Sequence, residues 1–490
     1  MTTNHSNPQP PFTGPEVCKL PAREVVALLK NKKISPRELL DASFQRIKQV
    51  EPDVNATPTL CEERAYESLK DIEKNSLQHG NYAGWLGGIP LAIKDLTAVS
   101  GVKTTFGSIG LKDNVSPKSD PLVERLENRG GVVVGKTNTP EFGAGGNTFN
   151  KVFGYTRNPW DTRKNAGGSS GGAAVSLATG EVWLSQGSDL AGSLRTPAAY
   201  CGVCGFRPTP GRAGGGPEPA AFLMEGISGP MARDVEDTAL FLDAMAGFDP
   251  RQPLSMDEPR CSFQDALKVE RSDIRIAFSP DQNGFAPVES NIRAIMGAAM
   301  DELEKGGIII EENCPDLPQL YETYVSLRGM HYGAVNAFVP DSIQKDFKAT
   351  LKGNIATGQA QTSHDIYLAM RNRTDLYQRM RMFLDNYDVL AIPVVGLEPG
   401  MVEEEYPLTV DENQVPDYVD WLRFSFLATT TALPALAMPI GFTESGMPVG
   451  IQLVGPPKGD ALVLQVGLAV QRILSTGVSV IDPVIYRDTP

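Results

Sequence analysis

Apolar residues recur every three and four positions over residues 21–30 and 35–50, the stripe of an amphipathic helix. Ser35-Pro36 supplies an N-cap followed by proline at the first helical position. Two leading helices are therefore predicted, within an N-terminal helical region of about residues 1–80. Glycine-bounded apolar runs follow. Residues 88–94 (Gly-Ile-Pro-Leu-Ala-Ile-Lys) predict a short strand, residues 121–129 keep helical spacing until Gly130-Gly131 stop it, and Val132-Val133-Val134 predict a buried strand. The pattern returns at the far end, with a strand over 448–454 and a helix over 460–474. Between them, residues 317–385 read as amphipathic helix with scattered aromatics (Tyr321, Tyr324, Tyr332, Phe338, Tyr367, Tyr377), either a cap over a sheet or outer helices. Residues 387–393 then predict a return strand. Alternating strands and helices imply an α/β fold, a sheet covered by helices on both faces. No linker or internal repeat interrupts it, so one domain over 1–490 is predicted.

Composition narrows the function. Hydrophobic residues are 41% and charged residues 21%, ordinary for a folded chain. The formal charge of −14 excludes nucleic acid as the main partner, because phosphate binding needs a basic surface. The longest uncharged stretch, residues 424–443, carries Pro434, Pro439 and three consecutive threonines, and predicts buried core segments with no membrane span. Residues 1–15 lack the basic and apolar regions of a signal peptide, which places the protein in the cytoplasm. Six cysteines are too sparse for a disulfide framework. Cys201-Gly-Val-Cys204 has the spacing of a redox or zinc half-site, but no second C-x-x-C or H-x-x-x-H pair accompanies it. Two small core residues are the better reading, and no metal or organic cofactor is implied.

Candidate chemistry concentrates where glycine does, between Gly167 and Gly216. Of the four histidines, His5 and His79 sit in polar stretches, and His331 and His364 lie in the helical segment. No G-x-S-x-G elbow is present, so a histidine-based serine hydrolase is disfavoured. Serine with lysine remains. Ser169 and Ser170 lie in a loop with glycine pairs on both sides, and Ser193 follows in Gly187-Ser-Asp-Leu-Ala-Gly-Ser193. A serine after small residues suits a turn whose backbone N–H groups converge on one point, the geometry of an oxyanion hole. Lys94, at the end of a predicted buried strand, loses solvation, which favours its neutral, basic form. A phosphate-binding loop is excluded because no G-K-[ST] follows the glycines.

These residues resemble the amidase signature family. The match runs through Gly87-Gly-Ile-Pro-Leu-Ala-Ile-Lys-Asp95, Gly135-Lys-Thr-Asn138, Phe153-Gly-Tyr-Thr-Arg-Asn-Pro-Trp160 and Gly167-Gly-Ser-Ser-Gly-Gly172. It continues over Gly187-Ser-Asp-Leu-Ala-Gly-Ser-Leu-Arg-Thr-Pro-Ala-Ala199, residues 201–209 and residues 229–234, and recurs over 447–455. It is dense over 85–235 and thin between about 247 and 389. The resemblance implies a large twisted mixed sheet covered by helices, and a Ser-cis-Ser-Lys triad with Ser193 as nucleophile, Ser169 as bridge and Lys94 as base. It places the oxyanion hole on the N–H groups of Leu190, Ala191, Gly192 and Ser193. Where the family usually reads Gly-Gly-Ser, this chain reads Ala191-Gly192-Ser193, which requires a negative φ at Ala191. Supporting roles are expected of Ser170, of an Asp189–Arg195 salt bridge, and of Asp95, whose side chain points to the face opposite Lys94.

The activity implied is hydrolysis of a small to medium neutral amide, anilide or carbamate, with esters as further candidates, through a Ser193 acyl-enzyme. The partner is thus a small-molecule substrate, and a homodimer is compatible with the chain. Thr196 occupies a position that can face the acyl side; it is uncharged and offers no anchor for a carboxylate. The aromatics of 317–390 suit an apolar pocket or plain core. A second reading, the glutaminase subunit of a tRNA-dependent amidotransferase, normally carries Asp-Thr-Gly-Gly-Ser, which Asp189-Leu-Ala-Gly-Ser193 does not match. A third, a catalytically dead binding protein, is disfavoured because all three triad positions are filled.

Overall fold

The computed structural model describes residues 11–75, 82–214, 218–337, 339–476 and 479–486. His5, His79, Phe338 and the first ten residues lie outside them. The leading helices form over Ala22–Lys30 and Pro36–Val54. The second starts on a capping box: the Glu38 N–H donates to Ser35 Oγ at 3.2 Å, and the Ser35 N–H donates to Glu38 Oε2 at 2.8 Å.

Eleven strands build one mixed sheet: β1 (Thr59–Leu60), β2 (Pro90–Lys94), β3 (Val132–Thr137), β4 (Leu184–Asp189), β5 (Cys204–Arg207), β6 (Ile227–Ala232), β7 (Arg275–Phe278), β8 (Ile309–Glu312), β9 (Val389–Pro393), β10 (Ala435–Phe442) and β11 (Pro448–Val454). Their order is β1-β3-β2-β4-β6-β5-β10-β11-β9-β7-β8. β2 runs parallel to β3 and β4, whereas the strands from β4 through β6, β5, β10 and β11 to β9 pair antiparallel.

The predicted strands at 448–454 and 387–393 and the helix at 460–474 are all present; Val132-Val133-Val134 extends to Thr137. The uncharged stretch 424–443 is interior: a short helix, Phe426–Thr430, precedes β10, and both are buried except at the end of β10. The segment 317–385 breaks into Leu320–Asn336, Asp341–Gln344, Ala349–Ala360 and Ser363–Phe383. Its aromatics divide. Tyr324 and Tyr332 are buried, while Tyr367 is turned to solvent. Among the described residues, no helix is long and apolar enough to cross a membrane.

Topology sets up the site. β2 and β4 are adjacent and parallel, with Leu91 opposite Leu184 and Ile93 opposite Gln186. Their carboxyl ends therefore emerge side by side, where open α/β sheets carry their ligands. Lys94 ends β2; Ser188 and Asp189 end β4.

Candidate active site

Two loops meet at the ends of β2 and β4. The loop before the helix Gly171–Ala178 carries Ser169 and Ser170, and the peptide bond between Gly168 and Ser169 is cis. The turn between β4 and the helix Arg195–Cys201 carries Ser193. The Ser170 N–H donates to the Ser193 carbonyl at 3.1 Å, which ties the two serine loops together. Gly171 and Gly172 let the start of the helix pack closely on its other neighbours: a Cβ on Gly171 would stand 2.4 Å from Thr148 Oγ1, and one on Gly172 2.4 Å from the Ala56 carbonyl.

Lys94 is fully buried. Its Nζ lies 2.7 Å from Ser169 Oγ, 2.8 Å from Ser170 Oγ and 3.0 Å from Ser188 Oγ. Burial pushes the ammonium down to about 7, while the charge of Asp189 opposes the shift. A neutral amine has two N–H bonds and one lone pair, so one of the three hydroxyls must donate to it. Ser170 gives its own proton to the Ser188 carbonyl at 3.2 Å and accepts from Lys94. The donor is thus Ser169 or Ser188, and Ser169 makes the shorter contact. Ser170 also accepts the Ser188 N–H at 3.3 Å, so its expected supporting role has a concrete form.

Asp189 braces the turn that carries Ser193. Its carboxylate accepts from Arg195 Nη2 at 2.7 Å and Nε at 3.0 Å, and from the N–H groups of Gly192 at 3.2 Å and Leu194 at 3.0 Å. Arg207 Nη1 adds a contact at 3.3 Å. Although burial raises its carboxyl, the two guanidiniums beside it hold it well below the usual carboxylate range. Four N–H groups are expected in the oxyanion hole; here that of Gly192 donates to Asp189, beside those of Leu190, Ala191 and Ser193 as candidate donors. Gly192 also requires a particular backbone conformation. Its φ is +82°, and a Cβ there would stand 3.0 Å from both Ser425 Cβ and Thr196 Oγ1. Ala191 is not among the residues of positive φ, so its methyl imposes no backbone strain.

Asp95 points away from Lys94 and pairs with Lys136 at 3.3 Å. Cys201 and Cys204 are buried, unpaired core residues. Among the described residues, no group of three His, Cys, Asp or Glu is placed to hold a metal ion. His331 is buried and held neutral, pushed down to about 4 by desolvation; no contact links it to the triad positions.

Sequence reasoning missed Ser188, Arg207 and the supports from residues 425–452. Arg195 Nη1 donates to the Ser425 carbonyl at 3.2 Å and also to Gln452 Oε1, and Thr429 Oγ1 donates to the Leu190 carbonyl at 2.7 Å. Ser188 had a local signal, its place between Gly187 and Asp189. The distant supports had none.

The family model described as Amidase matches residues 38–464. An acylamidase from Rhodococcus erythropolis is 34% identical over 455 residues, 91% of this chain and 94% of that protein. A glutamyl-tRNA(Gln) amidotransferase subunit from Halothermothrix orenii is 31% identical over 489 residues, 94% of this chain and 98% of that protein. Among solved structures, a bacterial aryl acylamidase of the amidase signature enzymes superposes with a TM-score of 0.85 at 27% identity, covering 93% of this chain and 96% of that one.

Proposed function

The chain belongs to the amidase signature family, and from that membership we propose that it hydrolyses a small to medium neutral amide, anilide or carbamate, with esters as further candidates, through a Ser193 acyl-enzyme. The observation that carries the reading is the Lys94 Nζ–Ser169 Oγ contact of 2.7 Å in a buried site, on a loop tied to Ser193.

Neutral Lys94 takes the proton of Ser169 as Ser169 takes that of Ser193, and Ser193 Oγ attacks the carbonyl carbon. The oxyanion is stabilised by the free N–H groups of the 190–193 turn, each contributing about 10²–10³ in rate. On collapse the C–N bond breaks. Ser169 gives a proton to the leaving nitrogen and recovers one from the Lys94 ammonium. Water then attacks the acyl-enzyme by the same relay, and Ser193 regains its proton. The acylamidase and aryl acylamidase relatives favour acyl amides and anilides as the substrate class. The six unpaired cysteines support a reducing compartment, the cytoplasm.

The test is turnover by the purified chain alone, on a panel of aliphatic amides, anilides, carbamates, esters and glutamine, beside Ser193→Ala. Hydrolysis lost in the variant is the expected result; hydrolysis that survives it overturns the nucleophile. The similarity to the amidotransferase subunit supports a second reading, and glutamine hydrolysis only on adding partner proteins of such a complex would favour it.

A further inference from the structure

Two acids outside the candidate triad meet at the far end of the helix that begins with the serine loop. Glu51 lies on the helix Pro36–Val54, and the fully buried Glu181 lies just past the helix Gly171–Ala178. Their side chains are hydrogen-bonded to each other. Two carboxylates offer only acceptors, so this contact requires a proton on one of them. Glu51 Oε1 accepts the N–H groups of Ala56 and Thr57, both at 2.7 Å, as an ionised carboxylate does. Glu181, cut off from water, is therefore the acid that keeps its proton and donates it to Glu51.

Electrostatics agree with this assignment. Burial and the adjacent charge of Glu51 hold the Glu181 carboxyl well above the usual carboxylate range. Burial lifts the Glu51 carboxyl as well, against the two N–H groups that favour its anion. Among the described residues, Arg46 is the one cation acting on the pair. It donates to the Thr179 carbonyl at 2.6 Å, and Asp482 already answers its charge at 2.8 Å. A second negative charge on the pair would stand against the first with little to offset it.

The pair grips the helix at both ends. At the far end, Glu181 Oε1 lies 2.9 Å from Thr179 Oγ1, and the Glu181 carbonyl accepts from Ser43 Oγ at 2.6 Å. Toward the near end, Thr57 Oγ1 donates to Glu181 Oε2 at 2.8 Å, while Glu51 holds the N–H groups of residues 56 and 57. The start of the helix packs on that segment. The Asn138 N–H donates to the Ala56 carbonyl at 2.8 Å, and a Cβ on Gly172 would stand 2.4 Å from both of these atoms. Gly172 follows Ser169 by three positions. A close-packed contact of this kind passes a shift of residues 56–57 on to the serine loop.

We propose that Glu51 and Glu181, joined by one shared proton, are positioning residues for Ser169, and that removing this proton loosens the serine loop. With the proton in place the pair is one hydrogen-bonded unit of single negative charge. Without it, two adjacent carboxylates repel and the anchor of residues 56–57 is lost. Both acids act through the helix, away from the reacting atoms. The kinetic consequence rests on the amide-hydrolase reading; the shared proton does not.

The experiment first reads the proton itself, by infrared difference spectra of wild type and Glu181→Gln at about pH 8, where ordinary carboxyls are ionised. A protonated-carboxyl band present in the wild type and lost in the variant is expected; its absence overturns the pair. The amide in Glu181→Gln still donates to Glu51 and cannot ionise. Beyond the plateau set by Lys94, kcat of the wild type should therefore fall while that of Glu181→Gln holds. Glu51→Gln removes the neighbouring charge and should behave alike, which guards against one variant failing to fold. Glu181→Leu breaks the grip and should lower kcat about tenfold with KM within about twofold. Rescue of that loss by Gln separates positioning from loss of a buried side chain.

Thermal unfolding supplies a reading independent of activity. The folded chain keeps a proton that the unfolded chain has released, so stability falls as pH rises above the ordinary carboxylate range. The wild type should lose melting temperature relative to Glu181→Gln from about pH 5 to about pH 9. Parallel kcat profiles in the two proteins overturn the positioning role, and parallel melting profiles overturn the shared proton. The infrared band and the melting difference, found without turnover of any amide, uphold the pair and overturn the hydrolase reading.

Discussion

The Asp189 carboxylate accepts the N–H of Gly192 at 3.2 Å, three residues along its own turn. An acid that pairs with two buried arginines therefore also fixes the Ala191–Gly192 peptide, one residue before Ser193. The turn is held from its backbone and from its flank by one group. Because this pairing depresses the acid, its contribution is present throughout the pH range above ordinary carboxylate titration and is lost only as pH falls below it.

Asp189→Asn removes the buried carboxylate that Arg195 and Arg207 both contact. Breaking such a pair from one side costs about 3–5 kcal/mol. The variant should therefore unfold at markedly lower urea concentration than the wild type at pH 7, with activity reduced as well. An unchanged midpoint would show that the turn does not depend on this ion pair.

Lys94, the proposed base, should govern the acid limb of the rate. The proposed base works neutral, and its ammonium is pushed down to about 7, so kcat/KM should rise with pH through about 7 and then level. Ser170→Ala removes one of its three hydroxyl partners and should lower kcat about tenfold while displacing that limb. A profile flat from pH 5 to 9 would remove Lys94 from the role.

The same group leaves a trace in stability. Its value falls from 10.5 in the unfolded chain to about 7 in the fold, so the unfolded chain binds more protons across that interval. Stability from this source rises as pH increases from 7 toward 10. Lys94→Met lacks the effect, so the melting temperature of the wild type should gain on that of the variant over this window.

Gly192 and Ala191 should respond oppositely to exchange. Gly192→Ala places a methyl at φ +82° against Ser425 and Thr196 and should lower kcat by about 10²-fold through a displaced turn. Ala191→Gly relieves no strain and should stay near wild-type kcat. Steady-state kinetics on one anilide checks both.

By itself the sequence determined the helices, the strands and the chemistry that local pattern encodes. The Ser35-Pro36 cap, the apolar run ending at Lys94, and the glycines around Ser169 act over a few residues, and spacing alone reveals them. The family motifs extended that reading to a candidate triad. Tertiary structure alone decided which partners each group meets. Lys94 reaches Ser188 because β2 and β4 run parallel side by side, a pairing across more than ninety residues of chain. The Gly192 N–H turns to Asp189 because the turn closes back on the end of β4. Glu51 meets Glu181, far from it in sequence, because the helix Pro36–Val54 packs against the end of the helix Gly171–Ala178. Hydrogen bonding and desolvation depend on distances through space, and the order of residues along the chain specifies those only through the completed fold.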